Sequence, residues 1–256
     1  MSRLAATTPT DASVSLSFYA GMAALCMAVA VVGFMPTFFI PLAQGQFHRA
    51  PLFYVHGLLF FAWTMFFFTQ SWLAMKGRTL PHREWGVLGA ALATSMVFSV
   101  MAVTVVRLNQ TPPIPAGPGS ASFAWVDVSN MVFFGACVVL GLANTRRPNL
   151  HKRLMLLATL SLLNAPTARW GTVFFPGPAG GPPPLSTGLL LFFTLPSLVL
   201  MLIPAVYDWR VERRISLVYL AGIPLFALLD LSWNLPAFGG SPWWLAIADR
   251  IKHLPG

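Results

Sequence analysis

The sequence contains few charged residues and very little lysine. Charged residues make up 9% of the 256 residues, whereas an ordinary soluble domain has roughly 25%. Hydrophobic residues make up 56%, and the mean hydropathy is +0.70. This shortage of charge excludes an ordinary soluble domain, and it indicates a protein embedded in a lipid bilayer.

Several functional classes are excluded by residues that are missing. The three lysines, Lys76, Lys152 and Lys252, all avoid the interior of the apolar runs, which excludes a retinal protein with a Schiff-base lysine. Histidines and carboxylates are too few for a membrane di-iron hydroxylase, and there is no phosphate-binding glycine loop or G-x-S-x-G motif. The two cysteines, Cys26 and Cys137, form no C-x-x-C pair, so they indicate neither a disulfide framework nor a thiolate metal site.

Long apolar runs dominate the rest of the chain. Each is about 20 residues or more, which is enough for a helix to cross a hydrocarbon core of ~30 Å. Seven spans are predicted, at 17–43, 51–75, 85–108, 121–145, 150–175, 188–209 and 215–238. We therefore expect an all-α polytopic membrane helix bundle with one seven-helix domain over 17–238, preceded by a polar leader at 1–16.

The tail at 239–256 is predicted to form an amphipathic helix. Helical spacing puts Trp244, Ile247, Ala248 and Ile251 on one apolar face, with the charged residues elsewhere. Such a helix is suited to lie in the outer membrane interface.

The net charge of +9 is spread between the spans and forms no single basic patch, so we expect no nucleic-acid partner. Eleven of the 16 basic residues fall on one side of the predicted bundle: Arg3, Lys76, Arg78, Arg83, Arg146, Arg147, Lys152, Arg153, Arg210, Arg213 and Arg214. The other five fall on the opposite side: Arg49, Arg107, Arg169, Arg250 and Lys252. By the positive-inside rule, this bias predicts a cytoplasmic N-terminus and an external C-terminus, in a bacterial inner membrane.

Four ionisable residues lie well away from the ends of the predicted spans, and they share one layer. The rise of 1.5 Å per residue puts His56, Asp127, Arg169 and Asp230 roughly 8 to 12 Å below the outer end of their spans. An ionisable side chain near the bilayer centre costs ~2.5–3.5 kcal/mol or more, so we expect these four to face one another as candidate catalytic residues. Arg169 is expected to pair with Asp127 or Asp230. The alternative is a structural salt-bridge network without a ligand.

A second layer lies near the cytoplasmic side. His82 and His151 each lie in the first turn of a helix that enters the membrane from this side, at equal depth. Two imidazoles on different helices at one height are what bis-histidine ligation of haem b requires, so both are candidate metal ligands. Arg83 and Arg153 are candidates to neutralise the haem propionates. The alternative is a pair of interfacial histidines that carry no ligand.

The segments before these two histidines are alike. R-T-L-P-H-R at 78–83 and R-P-N-L-H-K at 147–152 are 69 residues apart, and each opens a helix near a proline. This similarity is explained either by a duplicated hairpin or by the common form of basic, proline-initiated helix starts.

Three motifs carry a resemblance over about 50–175. They are the membrane histidine His56, the H-R-E-W-G-x-L-G start at 82–89, and the H-K-R-L-M-L helix at 151–156 that ends in Arg169. In this order they resemble a family of bacterial multi-pass membrane proteins without an assigned activity. The same region is loosely similar to transmembrane b-type cytochromes, in which histidines on alternate helices ligate two haems.

The cytochrome resemblance implies one haem rather than two. His82 and His151 correspond to the cytoplasmic pair of that pattern. The outer pair is incomplete, because His56 on the second span faces a fourth span that has Asp127 and Asn130 but no histidine.

Three functions therefore compete. The first is electron transfer through a b haem, with a quinone or another small donor bound in the outer layer, where His56 and Asp127 accept protons. The second is a proton-coupled small-solute transporter, whose helices are interrupted by Pro166, Pro196, Pro204 and Pro224 around the same layer. The third is a membrane scaffold or assembly factor without catalysis. The expected partners are the lipid bilayer and a quinone or other small ligand, and a homo-oligomer is left open.

Overall fold

The computed structural model describes residues 9–109, 120–175 and 186–253, and every regular element within these ranges is a helix. The predicted all-α class is therefore confirmed. The helices are α1 (Pro9–Phe34), α2 (Ile40–Ala43), α3 (Pro51–Met75), α4 (Thr79–Asn109), α5 (Ser120–Ala143), α6 (Pro148–Ser161), α7 (Asn164–Phe174), α8 (Thr187–Glu212), α9 (Leu217–Leu231) and α10 (Pro242–Lys252). A π-helical turn, Met35–Phe39, joins α1 to α2.

Five helical stretches are long and apolar enough to cross a membrane, which agrees with a multi-pass protein. They are Ser15–Ala43, Pro51–Met75, Thr79–Asn109, Ala121–Ala143 and Gly188–Glu212. The predicted span at 150–175 is divided into α6 and α7, and the one at 215–238 contains the shorter apolar helix α9. The first of these predicted spans differs from the observed helices because the chain is interrupted near Pro166. The second differs because α9 ends at Leu231, before the end of the predicted span.

The break between α6 and α7 follows from the sequence at Pro166. Proline has no backbone N–H, so it cannot donate to the carbonyl of Leu162. The chain instead tightens there, with the amides of Leu162 and Leu163 bonded three residues back, at 3.2 and 3.1 Å. Pro166 then packs so closely on α1 that a Cβ placed on Gly33 would lie 2.4 Å from the Cβ of Pro166.

Five of the helices form a closed ring. The helices α1, α3, α4, α5 and α6 pack side by side in this order, and α6 packs back onto α1. The centre holds Trp63, which is 1% exposed, donates its indole N–H to Thr159 Oγ1 at 3.2 Å and meets Phe134 edge-on. The helix α9 packs on α5 and α6, and α8 connects it to α7.

The amphipathic helix of the tail is present as α10. Trp244, Ala248 and Ile251 are buried in a cluster with residues of α4 and α5, whereas Ile247 is exposed. Trp244 also donates its indole N–H to the carbonyl of Ala121 at 2.9 Å. Most of the apolar face therefore packs on the end of the bundle, because α4 and α5 offer it a complementary apolar surface.

Candidate functional site

His82 and His151 lie next to each other, partly buried, at one end of the ring of helices. Their ring centroids are 6.2 Å apart, and their planes are inclined by 84°. His82 comes from the first turn of α4 and His151 from the first turn of α6. The two histidines that the sequence placed at one depth are thus brought together, and we call this end of the bundle the His82 end.

Each of these histidines is held by a backbone carbonyl. His82 Nδ1 lies 3.2 Å from the carbonyl oxygen of Gln70, and His151 Nδ1 lies 2.8 Å from that of Gly141. A carbonyl only accepts, so Nδ1 of each neutral ring carries the hydrogen and Nε2 carries the free lone pair. Metal-binding histidines are oriented by the same type of bond.

The two helical hairpins use this contact in the same way. In α3–α4 and in α5–α6, the histidine of the second helix bonds a carbonyl near the end of the first helix. Gln70 also has a buried side-chain oxygen, Oε1, with no hydrogen-bond partner within the described ranges. The sequence similarity between 78–83 and 147–152 therefore corresponds to a shared geometry.

The two arginines expected beside the histidines have different environments. Arg83 is exposed at the start of α4. Arg153 is buried, and its guanidinium donates to both carboxylate oxygens of Asp208 at 2.8 and 2.9 Å, to Glu212, and to the carbonyl of Asn149 at 3.0 Å. The expectation that Arg153 binds a propionate is therefore corrected, because this side chain is already engaged with two acids of α8.

At the opposite end of the bundle, Asp127 pairs with Arg107, a partner that was not expected from the sequence. Arg107 Nη1 lies 2.6 Å from Asp127 Oδ2, and the two side chains are 22% and 26% exposed. The predicted pairing of Asp127 or Asp230 with Arg169 is wrong. Arg107 takes this position because it lies in the last turn of α4, directly beside α5. We call this end the Asp127 end.

Arg169 belongs to the same end but to another face. Its guanidinium carbon lies 5.4 Å from the ring centroid of Phe34 on α1, and its side chain is exposed. Asp127, Arg107 and Arg49 lie within electrostatic range of it. The break before α7 turns this arginine toward α1, which no local sequence pattern revealed.

Asp230 is fully buried and bonded to neutral side chains. Its Oδ1 accepts the amides of Asn130 at 2.7 Å and Asn164 at 2.8 Å, and its Oδ2 contacts the hydroxyl of Thr194. Among the described residues, no lysine, arginine or histidine forms an ion pair with it. The carboxyl group thus joins α5, α7, α8 and α9. Thr194 was not expected here.

His56 completes this end of the bundle. Its Nδ1 lies 3.2 Å from Ser99 Oγ, which donates its single hydrogen to the carbonyl of Met96 at 2.8 Å. Nδ1 therefore carries the hydrogen, and Nε2 is left as an acceptor. Arg107 and Arg169 lie within electrostatic range of the ring. The four residues predicted as one layer do lie at one end of the bundle, although their pairs differ from those predicted.

Two histidines are enough protein ligands for a metal whose other ligands belong to a bound cofactor. Within the described ranges there is no group of three or more His, Cys, Asp or Glu side chains able to hold a metal ion. A porphyrin supplies four ligands itself, so the pair at the His82 end meets the protein's share of such a site. Comparison of the chain with protein-family models, curated proteins and solved structures gives no match.

Proposed function

We propose that the protein is a seven-span electron-transfer protein of the bacterial inner membrane that binds one haem b between His82 and His151. A quinone or another small donor binds at the Asp127 end. The observation that carries this proposal is the pair of histidines 6.2 Å apart, each held through Nδ1 by a backbone carbonyl.

His82 and His151 would hold the haem iron through Nε2, because each Nδ1 is engaged with a backbone carbonyl and the ring centroids are 6.2 Å apart. The haem would supply one-electron redox chemistry, as in the transmembrane b-type cytochromes that the sequence resembles.

Other residues at the His82 end suit the rest of a haem. Arg78, Arg83 and Arg147 are exposed beside the histidine helices and offer positive charge for two propionates. The unpaired Oε1 of Gln70 lies on the residue whose carbonyl orients His82. Positive charge at this end also supports its cytoplasmic location.

The Asp127 end suits the head group of a reduced donor. His56 Nε2 has a free lone pair, as a general base requires, and Arg169 provides a positive charge nearby. An apolar groove of about 810 Å³ lies between α1 and α3. Phe61 lines this groove and packs on Phe34, whose ring lies under Arg169. An isoprenoid tail in the groove would therefore bring a quinol head group toward Arg169.

An absorption spectrum of the full-length protein tests the haem. Protein purified in detergent from cells supplied with a haem precursor is expected to show a Soret band and a reduced-minus-oxidised α band, with one haem per chain. His82→Ala and His151→Ala should each abolish the low-spin spectrum. His48→Ala is the matched control, because this histidine lies outside the site, and it should leave the bands unchanged.

Two results would contradict the haem proposal. One is protein that folds and purifies without colour under these conditions. The other is a spectrum that survives in both His82→Ala and His151→Ala.

The helix break favours a second candidate, a proton-coupled small-solute transporter. Asn164 opens α7 directly after the break and bonds the buried Asp230, an arrangement that transporters use for substrate and ion sites. A colourless protein that takes up a solute into vesicles under an imposed proton gradient would support this candidate. A colourless protein without uptake would favour a scaffold role.

A further inference from the structure

We propose that Asp230 binds an exchangeable proton inside the bundle, and that Asp127 is the group through which this proton exchanges with the solvent at that end. The inference rests on the contacts of Asp230 and does not depend on the haem.

Within the part of the chain that the structure describes, no basic side chain forms an ion pair with Asp230. The residue is 0% exposed, and its bonds come from two amides and a hydroxyl. A buried carboxylate without a cationic partner carries a large desolvation cost, which binding of a proton removes. The surroundings of Asp230 therefore favour its neutral form.

A count of hydrogens around Thr194 leads to the same conclusion. Thr194 Oγ1 is within hydrogen-bond distance of the Leu190 carbonyl, at 2.8 Å, and of Asp230 Oδ2. The hydroxyl has one hydrogen, so it can donate to only one of these two acceptors. If it donates to Leu190, the contact with Asp230 requires a hydrogen on the carboxyl group. A protonated Asp230 donates to Thr194 Oγ1 and makes both contacts hydrogen bonds.

The amide of Asn130 leaves a buried acceptor next to Asp230 that has no partner among the described residues. Asn130 is 7% exposed and directs its Nδ2 at Asp230, yet its Oδ1 is buried with no hydrogen-bond partner within the described ranges. Ser197, one turn from Thr194, and Trp233, one turn from Asp230, also have buried polar atoms without a partner there. Buried polar atoms usually have hydrogen-bond partners. The unpaired atoms in this region are therefore available to bond an exchangeable hydrogen or a water molecule.

Asp127 is the route to solvent. It lies one turn from Asn130 on α5, is 26% exposed, and is the ionisable neighbour whose charge acts on Asp230. On α7, Asn164 faces Asp230, whereas Arg169 lies over Phe34.

The remaining charged groups on helices that pack against α9 are remote from Asp230. They are His151, Lys152 and Arg153 of α6 and Asp208, Arg210 and Glu212 of α8. Arg153 pairs with Asp208 and Glu212, and Arg153 and Asp208 act on Tyr219 at the other end of α9. Within the described residues, Asp127 is therefore the ionisable side chain best placed to exchange a proton with Asp230.

Labelling with dicyclohexylcarbodiimide tests the proposal. This reagent takes up the proton of a neutral carboxyl group as the carboxyl oxygen adds to it, and the adduct rearranges to a stable N-acylurea. Full-length protein in lipid vesicles is labelled and its peptides are analysed by mass spectrometry. Asp230 is expected to be labelled at neutral pH, several-fold less at high pH, and equally in sodium and potassium buffers. Asp230→Asn removes the label, whereas Asp249→Asn, which changes an exposed carboxylate of α10, leaves it unchanged.

Infrared spectroscopy provides a second measurement that does not require access by the reagent. The native protein should show a carboxylic-acid C=O band that Asp230→Asn lacks, and Asp127→Asn should slow the shift of this band in D2O several-fold. The absence of both the label and the band would overturn the proposal. Protection by sodium at fixed pH would assign an alkali cation instead, and an unchanged exchange rate in Asp127→Asn would remove the proposed route. None of these outcomes depends on haem, so this test and the absorption spectrum can fail separately.

Discussion

Arg153 and Asp208 form a bidentate ion pair between α6 and α8. Arg153 Nε donates to Asp208 Oδ2 at 2.8 Å and Nη2 donates to Oδ1 at 2.9 Å, with the side chains 6% and 1% exposed. Glu212, one turn further along α8, is 33% exposed and receives another bond from Arg153. This pair holds the α6 half of the broken helix to α8 at the His82 end.

Removing the buried acid of this pair should destabilise the protein strongly. Asp208→Ala leaves a buried guanidinium without its main partner, and we expect the free energy of unfolding to fall by about 3–5 kcal/mol. Glu212→Ala should cost less than about 1 kcal/mol, because this carboxylate is partly solvated. Unfolding in mixed detergent micelles, followed by circular dichroism, measures both. Equal losses in the two variants would contradict the assignment of Asp208 as the main partner.

The contact between Gly33 and Pro166 should tolerate no side chain. A Cβ on Gly33 would lie 2.4 Å from the Cβ and 2.6 Å from the carbonyl oxygen of Pro166, so Gly33→Ala forces α1 and α7 apart. We expect a loss of about 1–3 kcal/mol. Gly21→Ala on the same helix is the control. It has nothing within 4 Å of a new Cβ, and alanine favours a helix by roughly 0.5–1 kcal/mol. A stable Gly33→Ala protein would show that α1 and α7 are less tightly packed.

The bond between Trp63 and Thr159 should appear as a coupling energy. Trp63→Phe removes the indole N–H but keeps an aromatic ring against Phe134, and Thr159→Val keeps the shape of the threonine. A double-mutant cycle on unfolding should give a coupling of about 0.5–1.5 kcal/mol. Additive losses would mean that this central bond contributes nothing to stability.

The choice of Arg107 over Arg169 as the partner of Asp127 can be tested in the same manner. The cycle of Arg107→Gln with Asp127→Asn should give a coupling of about 0.2–1 kcal/mol, because both groups are about three-quarters buried yet near solvent. The cycle of Arg169→Gln with Asp127→Asn should give less, since the two residues interact only at longer range. The reverse order would restore the pairing expected from the sequence.

The orientation of the bundle can be tested by cysteine labelling with an impermeant maleimide. Cys26 and Cys137 are buried, so they should not react in the folded protein. A cysteine at exposed Arg147 should react only in inverted vesicles, and one at exposed Gln46 should react only in intact spheroplasts. The opposite pattern would place the His82 end outside the cell.

The depth of the two polar layers could be predicted from the sequence, whereas the pairs within them could not. Depth follows from the number of residues along a helix, so His82 and His151 were correctly expected to meet, and His56, Asp127 and Asp230 were correctly expected at one end. A pair depends also on how each helix is rotated and which helix is its neighbour. Asp208 could have been found, because it lies one turn before Glu212 on a helix otherwise poor in charge.

By itself, the sequence determined that this is a multi-pass helical membrane protein with ionisable groups at two levels, because hydropathy, proline positions and helical rise are local properties of the chain. Only the tertiary structure decided that Asp127 binds Arg107, that Arg153 binds Asp208, and that Asp230 is held by three neutral side chains. These choices arise from contacts between helices that are distant in the chain, where the rotation and break of each helix select which side chains meet.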